Sequence, residues 1–499
     1  MRITNKMMTN NMMNNINKNK LNMNTLEEQY STGKKIQKPS DDPIVTVRAL
    51  KLRTNLSEIE QYTDKNIPDA KSWMDVTESS LTTVNDILSQ INTYCVQGSS
   101  DTLTANDRSS IVSNLEQMKE QISQEGNTNY AGRYVFTGYK TDSSLIFTED
   151  NDNLTYSITE SFDGDQIQTT DKVLGSYEMA DFDVVPEIPF EVAPTSIEVR
   201  RFQLAYDGLT AADAPTSISF SRRNASGVLE PQTEFTNIQP RSVTDTAAYE
   251  PLPGMANFIA ETGELILSEE AYEEFRTAED INITYSKTGF ANGDFKPEHY
   301  FDCSVTDSDK PELAEVVYKK ADQEIQYEVN YNQKLTINTE ASNAITHQMG
   351  RCIDDILNAV NDVISTESKI TEVEDRLKDT TLSTEDQARY AKMKEQLDTE
   401  LELKKDVMQA AFATGNTTSS NEQDRVNTAV ADLGSRYVRL ELTENRLSSQ
   451  KVDFEDLLSK NEDVDMVDTV VKYGSAEALY NASLTAASKV VQNTLLDFL

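Results

Sequence analysis

PEHYFDC, from Pro297 to Cys303, brings a carboxylate, an imidazole and a thiol close together. Glu298, His299 and Cys303 are donors of the kinds that hold zinc, and they could form one corner of a metal site. A complete site needs three or four protein ligands. The rest of the chain supplies one further histidine, His347, and two further cysteines, Cys95 and Cys352, none at metal-binding spacing. His299 therefore reads as a loop histidine. In TEDNDNLTYSI, Thr148 to Ile158, Asp150 and Asp152 alternate with amides as at the start of a calcium loop. The turn glycine and the closing glutamate of such a loop are missing, so a polar hairpin turn is expected. HExxH, GxxxxGK and GxSxG are absent as well. No catalytic, cofactor-binding or metal-binding residues are assigned, and an enzyme is not expected.

The elements that carry these residues follow from composition and period. A chain of 499 residues with formal charge -38 can bury a sizeable core, yet it lacks the basic surface that nucleic acid requires. The first 38 residues run against the trend, with Arg2, Lys6, Lys18, Lys20, Lys34, Lys35 and Lys38 against Glu27 and Glu28. The three cysteines suggest no disulfide framework. No apolar run reaches membrane-spanning length, and the N-terminus lacks the apolar core of a secretory signal. Taken alone, this implies a soluble cytoplasmic protein without membrane insertion.

Proline divides the chain, because it is excluded from helix interiors. Ten of the thirteen prolines lie from Pro186 to Pro311, and none follows. Helical seams occupy both flanks: Val45, Ala49, Leu52, Leu56 and Ile59, then Met74, Thr77, Leu81, Val84, Leu88, Ile91 and Cys95. A helix is expected from about Ile44 to Gln97, with Pro68 a candidate kink. Another begins at Thr104, a good N-cap with Asp107 three positions on, and runs through Ile111, Leu115, Met118 and Ile122. The C-terminal side repeats the pattern at Ile353, Leu357, Val360 and Ile364, at Tyr390, Met393, Leu397 and Leu401, and from Val426 to Leu458. ATGNTTSSN, Ala413 to Asn421, reads as a loop between two of these helices.

Between the helical flanks the period changes to two, as in Leu154, Tyr156 and Ile158, in Ile281, Ile283 and Tyr285, and in Ile325, Tyr327, Val329 and Tyr331. The expected fold is α+β: a long-helix antiparallel coiled-coil or bundle body built from both chain ends, with a β-rich insertion domain in the middle. The segments are 1–43 and 464–499 as terminal helices, 44–140 and 339–463 as the body, and 141–338 as the insertion.

The two ends are themselves seams. Met12, Ile16, Met23, Leu26 and Tyr30 step by 4, 7, 3 and 4, with Asn19 in the skipped place, inside an asparagine-rich stretch too polar to stand alone as a helix. Tyr480, Leu484, Ala487, Val491, Leu495 and Phe498 form the other. Marginal amphipathic helices at both ends need partners to order them. Ile16, Met23, Leu26, Leu484, Val491 and Leu495 are the expected assembly-interface residues; an ordinary intramolecular coiled coil is the plainer role for the same seams.

MRITNKMM at the start, TGKKIQKPSDDP at Thr32 to Pro43, NIPDAKSWMDVTESSLTTVNDIL at Asn66 to Leu88 and AGRYVFTGYKT at Ala131 to Thr141 resemble the flagellin superfamily. So do LGSRYVRLELTENRL at Leu433 to Leu447, LLSKNEDVDMVDTVVKY at Leu457 to Tyr473, and the closing SKVVQNTLLDFL. Within the superfamily they look most like the hook–filament junction branch, hook-associated protein 3. The resemblance implies a helical body called D1, terminal helices forming an inner layer called D0 after assembly, and an outward-facing insertion. It also implies export, unfolded, through the flagellar type III apparatus to the extracellular flagellum, which overturns the cytoplasmic inference. The partners it implies are further copies of the chain in a ring or helical polymer, the preceding hook-associated junction protein, flagellin and an export chaperone. Filament flagellins carry a pattern close to LQRxRELxVQ, where this chain has LSQINTYCVQ, Leu88 to Gln97, with Gln90, Asn92 and Thr93 at the charged positions. That departure favours the junction branch over a filament flagellin with a large outer domain. A cytosolic coiled-coil scaffold is the remaining alternative.

Overall fold

The computed structural model describes residues 5–100, 103–175, 177, 193–224, 227–245, 247–310, 314–379 and 381–492. Helix makes up 56% of the structure, and the strands lie between the two helical flanks, which gives the α+β class expected. The chain forms two compact units. One comprises Met1–Lys71, Tyr327–Leu335 and Val438–Leu499; the other comprises Ser72–Gln326 and Thr336–Tyr437. Helix α1 is Asn5–Thr32, α2 Pro43–Gln61, α3 Ile67–Gly98 and α4 Ala105–Gly126. After the strands come α5 (Glu269–Phe275, within the strand region), α6 (Ala341–Ala344), α7 (His347–Leu377), α8 (Thr384–Glu462) and α9 (Met466–Gln492). The division between units falls within α3 and α8.

Pro68 does not break the first long helical run. Tyr62–Asn66 forms a π-helical turn directly ahead of it, in which the Ile67 amide reaches back to the Tyr62 carbonyl. A proline ring clashes with the carbonyl four residues earlier and offers no amide, and a widened turn accommodates both defects.

In the second unit the helices pack as the apolar period requires. Trp73, Leu81, Leu88 and Ile91 of α3 are buried, as are Leu115 of α4 and Ile353, Ile356, Val360 and Val363 of α7. The α7 stripe is rotated from its expected centre: Ile356 and Val363 are buried where Leu357 and Ile364 were expected, and those two are half-buried. Thr104 caps α4 in a reciprocal capping box with Asp107. AGRYVFTGYKT forms a two-stranded hairpin, β1 (Asn129–Tyr130) and β2 (Arg133–Tyr134), turning at Ala131 and Gly132, both with positive φ. It covers Trp73, with the Tyr130 ring edge-on at 6.1 Å and the Arg133 guanidinium 4.9 Å from the indole centroid.

ATGNTTSSN is not a loop but the middle of α8, which runs unbroken for 79 residues. Its small residues serve close helix packing. A Cβ on Gly415 would lie 2.7 Å from Ile356 Cδ1 and 2.9 Å from Cys95 Sγ, so any larger residue there requires α7 or α3 side chains to shift. Ser419 Oγ donates to the Leu88 carbonyl at 2.7 Å, and Asn92 Nδ2 donates to Asn416 Oδ1 at 2.5 Å. Glycine, serine and threonine punctuate turns in isolation, but the same small side chains permit close backbone approach.

Among the described residues the β region contains two large sheets, of six and five strands. Strands β3 (Asn151–Phe162), β6 (Ile218–Arg223), β7 (Leu229–Pro231), β11 (Glu279–Phe290), β12 (Asp302–Asp307) and β13 (Val316–Tyr318) form an antiparallel sheet in the order β13-β12-β3-β11-β6-β7. Strands β4 (Gln168–Leu174), β5 (Thr195–Gln203), β8 (Ile238–Arg241), β9 (Ala256–Ile259) and β10 (Glu264–Leu267) form the second, ordered β4-β5-β10-β9-β8, with only β8 and β9 parallel. Tyr156 and Ile158 face the same core as Ile281, Ile283 and Tyr285, joined by Phe202, Phe258 and Phe275. A charged seam fastens the second sheet to α7. Arg351 pairs with Asp207 at 2.6 Å, and Asp355, one turn on, accepts from Arg201 and from Gln203 Nε2 at 3.1 Å. Arg201 also pairs with Glu264; burial opposes ionisation of that carboxyl, but Lys172 and Arg201 hold it down to about 2.

The alternation that buries Tyr156 and Ile158 also buries Glu160, which accepts from the Ala205 amide at 2.9 Å and from the Tyr285 hydroxyl. Burial raises its carboxyl to about 7, against those hydrogen bonds. The folded state therefore holds this proton in a range where the unfolded chain has released it, and stability falls as pH rises through that window. Glu160→Gln should reduce the loss of melting temperature between pH 5 and pH 7.5, measured by calorimetry on the full chain. Gly415→Val should lower melting temperature at every pH, by overpacking worth about 1–3 kcal/mol.

Candidate assembly surface

In the first unit the two terminal helices pack antiparallel on each other. The half-buried or buried side of α1 is Met12, Ile16, Asn19, Met23 and Leu26, the seam expected from spacing. On α9 the corresponding side is Thr469, Tyr473, Ala476, Tyr480, Ser483 and Ala487, small residues apart from two tyrosines. Tyr30 stacks on Tyr473 with ring centroids 6.4 Å apart, and Asn19 Nδ2 donates to Ser483 Oγ at 3.0 Å.

Of the six expected interface residues, Ile16, Met23 and Leu26 lie on this intrachain seam. Leu484 does not, because Ser483 and Ala487 occupy the side facing α1, and Leu484 is 42% exposed. Val491 is within α9, but its side chain lies outside the described residues, as does the whole of Leu495.

The connections that lead out of the pair lie side by side. Lys34 and Asp463 form an antiparallel bridge, with Lys35 N donating to the Glu462 carbonyl at 2.6 Å and Val464 N to the Gly33 carbonyl at 3.0 Å. Gly33 has φ +70, which a glycine adopts without strain. Lys34 Nζ lies 2.5 Å from Asp463 Oδ1, and Arg53 of α2 reaches the nearly buried Glu462 carboxylate at 2.6 Å. The rest of TGKKIQKPSDDP starts α2. Asp41 accepts from the Gln37 and Lys38 amides, Asp42 caps the helix through the Ile44 and Val45 amides, and Pro43 takes the first turn, where no amide is needed. Sequence reasoning missed this clasp, since its partners lie more than four hundred residues apart.

Helix α2 runs along the last part of α8, tied by Asn461 Nδ2 to the Val45 carbonyl and by Lys451 to Glu60 and Asp64. The hairpin of β14 (Gln326–Asn330) and β15 (Gln333–Thr336) adds Tyr327 to Asp69 and Gln333 to Thr443 and Arg446. These contacts leave many large apolar side chains uncovered. Met7, Met8, Met13 and Leu21 of α1, Ile44, Val47 and Leu50 of α2, Leu442 and Val452 of α8, and Val467, Val470 and Val471 of α9 are exposed, Val467 at 77% and Leu21 at 68%. Most of the large apolar side chains exposed among the described residues belong to this unit. Single exposed hydrophobes are ordinary; several on each of four helices are more than a folded surface usually leaves bare.

The chemistry-bearing candidates are structural. His299 is buried beside the Ser144 carbonyl, 3.3 Å from Nε2, and burial together with Lys140 and Lys296 pushes it down to about 3. His347 opens α7 among the rings of Tyr206, Phe295, Tyr300 and Phe301; burial, reinforced by Arg351, pushes it to about 3 as well. Cys303 lies in the sheet opposite Ile158 and Tyr318, its thiol raised to about 12 by burial. Among the described residues no group of three or more histidine, cysteine or carboxylate side chains is placed to hold a metal.

Residues 3–141 match the family described as the bacterial flagellin N-terminal helical region, and residues 420–499 match the bacterial flagellin C-terminal helical region. Both ends of the chain are flagellin-family regions. Flagellar hook-associated protein 3 of Salmonella typhimurium is 32% identical to it over 145 residues, 29% of this chain and 45% of that protein. The protein of the same name from Escherichia coli is 32% identical over 150 residues, 30% of this chain and 47% of that one. A flagellin of Clostridium tyrobutyricum is 31% identical over 101 residues, 20% of this chain and 26% of that one. The chain thus spans less than half the length of the curated relatives it matches. Among solved structures it is similar to a putative flagellar hook-associated protein from Vibrio parahaemolyticus, with TM-score 0.36, 14% identity and coverage of 85% of this chain and all of that one. It is also similar to FlgL of Xanthomonas campestris, with TM-score 0.32, 11% identity and coverage of 81% and 98%. The helices that carry the exposed apolar side chains, α1, α2, α9 and the last part of α8, all lie in the two matched segments.

The Asp463 carboxyl is lowered by its hydrogen bonds from Lys34 and Ser459, so its share of the clasp is present near neutrality and lost as pH falls through the lowered value. Both side chains are partly exposed, which limits the pair to about 0.2–1 kcal/mol. Lys34→Gln at pH 7, or acidification of the unaltered chain to pH 3, should each lower hydrogen-exchange protection of the Lys35 and Val464 amides by a few-fold relative to the amides of α3.

Proposed function

We propose that the chain is a structural subunit of the bacterial flagellum that joins hook to filament, exported unfolded by the flagellar type III apparatus and ordered as it assembles. The observation that carries this reading is the apolar surface left open on α1, α2, α8 and α9, within the segments that match flagellin ends. Further copies of the chain in a ring or helical polymer, the preceding hook-associated protein and flagellin would cover it, and an export chaperone would shield it before secretion. Segments 1–43 and 464–499 form the inner layer, 44–140 and 339–463 the body, and 141–338 the outward-facing domain. Ile16, Met23 and Leu26 seat α1 on α9, while Leu484, Val491 and Leu495 contribute to packing around the axis. The role is mechanical, with no catalysis or cofactor.

A filament flagellin is the second reading, favoured by the Clostridium tyrobutyricum match. Against it stands LSQINTYCVQ. Asn92, at one of the positions where filament flagellins carry arginine, is bound to Asn416 and Ser420 of the same chain, and Gln90 and Thr93 are uncharged. Immunogold labelling separates the readings. Signal in one band beside the hook supports the junction role, signal along the filament supports the second reading, and signal confined to the cell rejects both.

Assembly-coupled ordering also explains the polar start. Asn10, Asn14 and Asn17 lie on the exposed side of α1. Replacing all three by leucine should strengthen the helix and impair secretion or ordered assembly. Normal export and junction formation in that variant would sink the idea.

A further inference from the structure

Midway along the α1 seam, between Ile16 and Met23, stands the polar Asn19, and Ser483 of α9 answers it. Asn19 Nδ2 donates to Ser483 Oγ at 3.0 Å, and Ser483 Oγ in turn donates to the Leu479 carbonyl of its own helix at 2.7 Å. The serine proton is therefore engaged within α9, and its lone pairs are what Asn19 finds. The contact lies fifteen residues from the Lys34–Asp463 bridge, so it is a second, separate polar tie between the helices. Around it the α1 side offers methionine and aliphatic groups, which pack against many surfaces, and the α9 side offers small residues that discriminate little.

We propose that Asn19 is the specificity determinant of the terminal helix pair: it admits as partner a helix that presents a hydrogen-bond acceptor at its own level, and Ser483 makes α9 that helix. An apolar helix laid on the same seam would leave the half-buried Asn19 amide without an acceptor from its partner helix and forgo the bond. A polar residue set between apolar neighbours in a helix seam selects partner and alignment in this way at some expense of stability. Sliding α9 by one heptad would set Asn19 against Ala476 and Ser483 against Met12, and both polar groups would lose their partners. The inference rests on the pairing within one chain and not on the junction role; a chain found along the filament would leave it intact.

The full-length chain with Ser483→Ala, with Asn19→Leu/Ser483→Ala, and with the exchange Asn19→Ser/Ser483→Asn tests it, by hydrogen exchange over α1 and by light scattering across concentration. Alanine is a better helix former than serine, so a role in helix propensity alone predicts equal or higher protection of α1 in Ser483→Ala. The proposal predicts the opposite, a loss of about three- to tenfold, the scale of one net hydrogen bond. The exchange variant should recover that protection. The double variant should regain protection while associating through α1 at concentrations where the unaltered chain does not. Unchanged or higher protection in Ser483→Ala, no recovery in the exchange variant, or a double variant that associates no more than the unaltered chain would each overturn it.

Discussion

Gly415 of α8 faces α3 and α7, with Ile356 Cδ1 and Cys95 Sγ occupying the space a side chain would need. The long-helix packing of the second unit depends on that approach. It joins parts of the chain hundreds of residues apart, and it leaves room for Ser419 to reach the Leu88 carbonyl and Asn416 to reach Asn92. A larger residue would push apart helices whose every other contact assumes they are near. The same economy recurs at Gly98, where the Phe412 ring fills the space a Cβ would occupy. Small residues at these places let backbones touch, and the buried aliphatic stripes on either side then interlock at a spacing they could not choose for themselves.

Much of this was open to reading from periodicity. The seams of α1 and α3, the capping box of Thr104 and the strands around Ile158 and Ile283 stand where spacing puts them, because each depends on residues near one another in the chain. What escaped detection depended on distant partners. ATGNTTSSN has the composition of a loop, and only the surfaces of α3 and α7 make it helix interior. The α9 face could not be found by seeking the largest hydrophobes, since the side that meets α1 is chosen by fit to methionine and tyrosine, and small residues fit best. Leu484 is left exposed beside the Ser483 that meets α1. Glu160 obeys the strand period and is buried by it, which a polarity-based reading would not foresee.

The histidines show the converse. Their residue types suggested chemistry, but burial settles both as neutral packing groups, one beside a carbonyl and one inside an aromatic cluster. Charge is used here for fastening. Arg201, Glu264, Asp355 and Arg351 join the second sheet to α7, and Lys34, Arg53, Glu462 and Asp463 tie the chain leaving α1 and the middle of α2 to the end of α8. Such ties add little net stability, but they are directional, and direction is what apolar contacts lack.

The side-by-side exit of the two connections at Gly33 and Asp463 bears on load. A tug on the α1–α9 pair is shared between two covalent strands acting in parallel, so neither helix needs to be held by side-chain contacts alone. If the bridge between the strands opened under strain, the pair would lose its set angle but keep its attachment, and it could return to the same seat when the force passed. An element joined at a single point would swivel and tear its packing. One joined at two adjacent points bends about a defined axis, as a leaf hinge does.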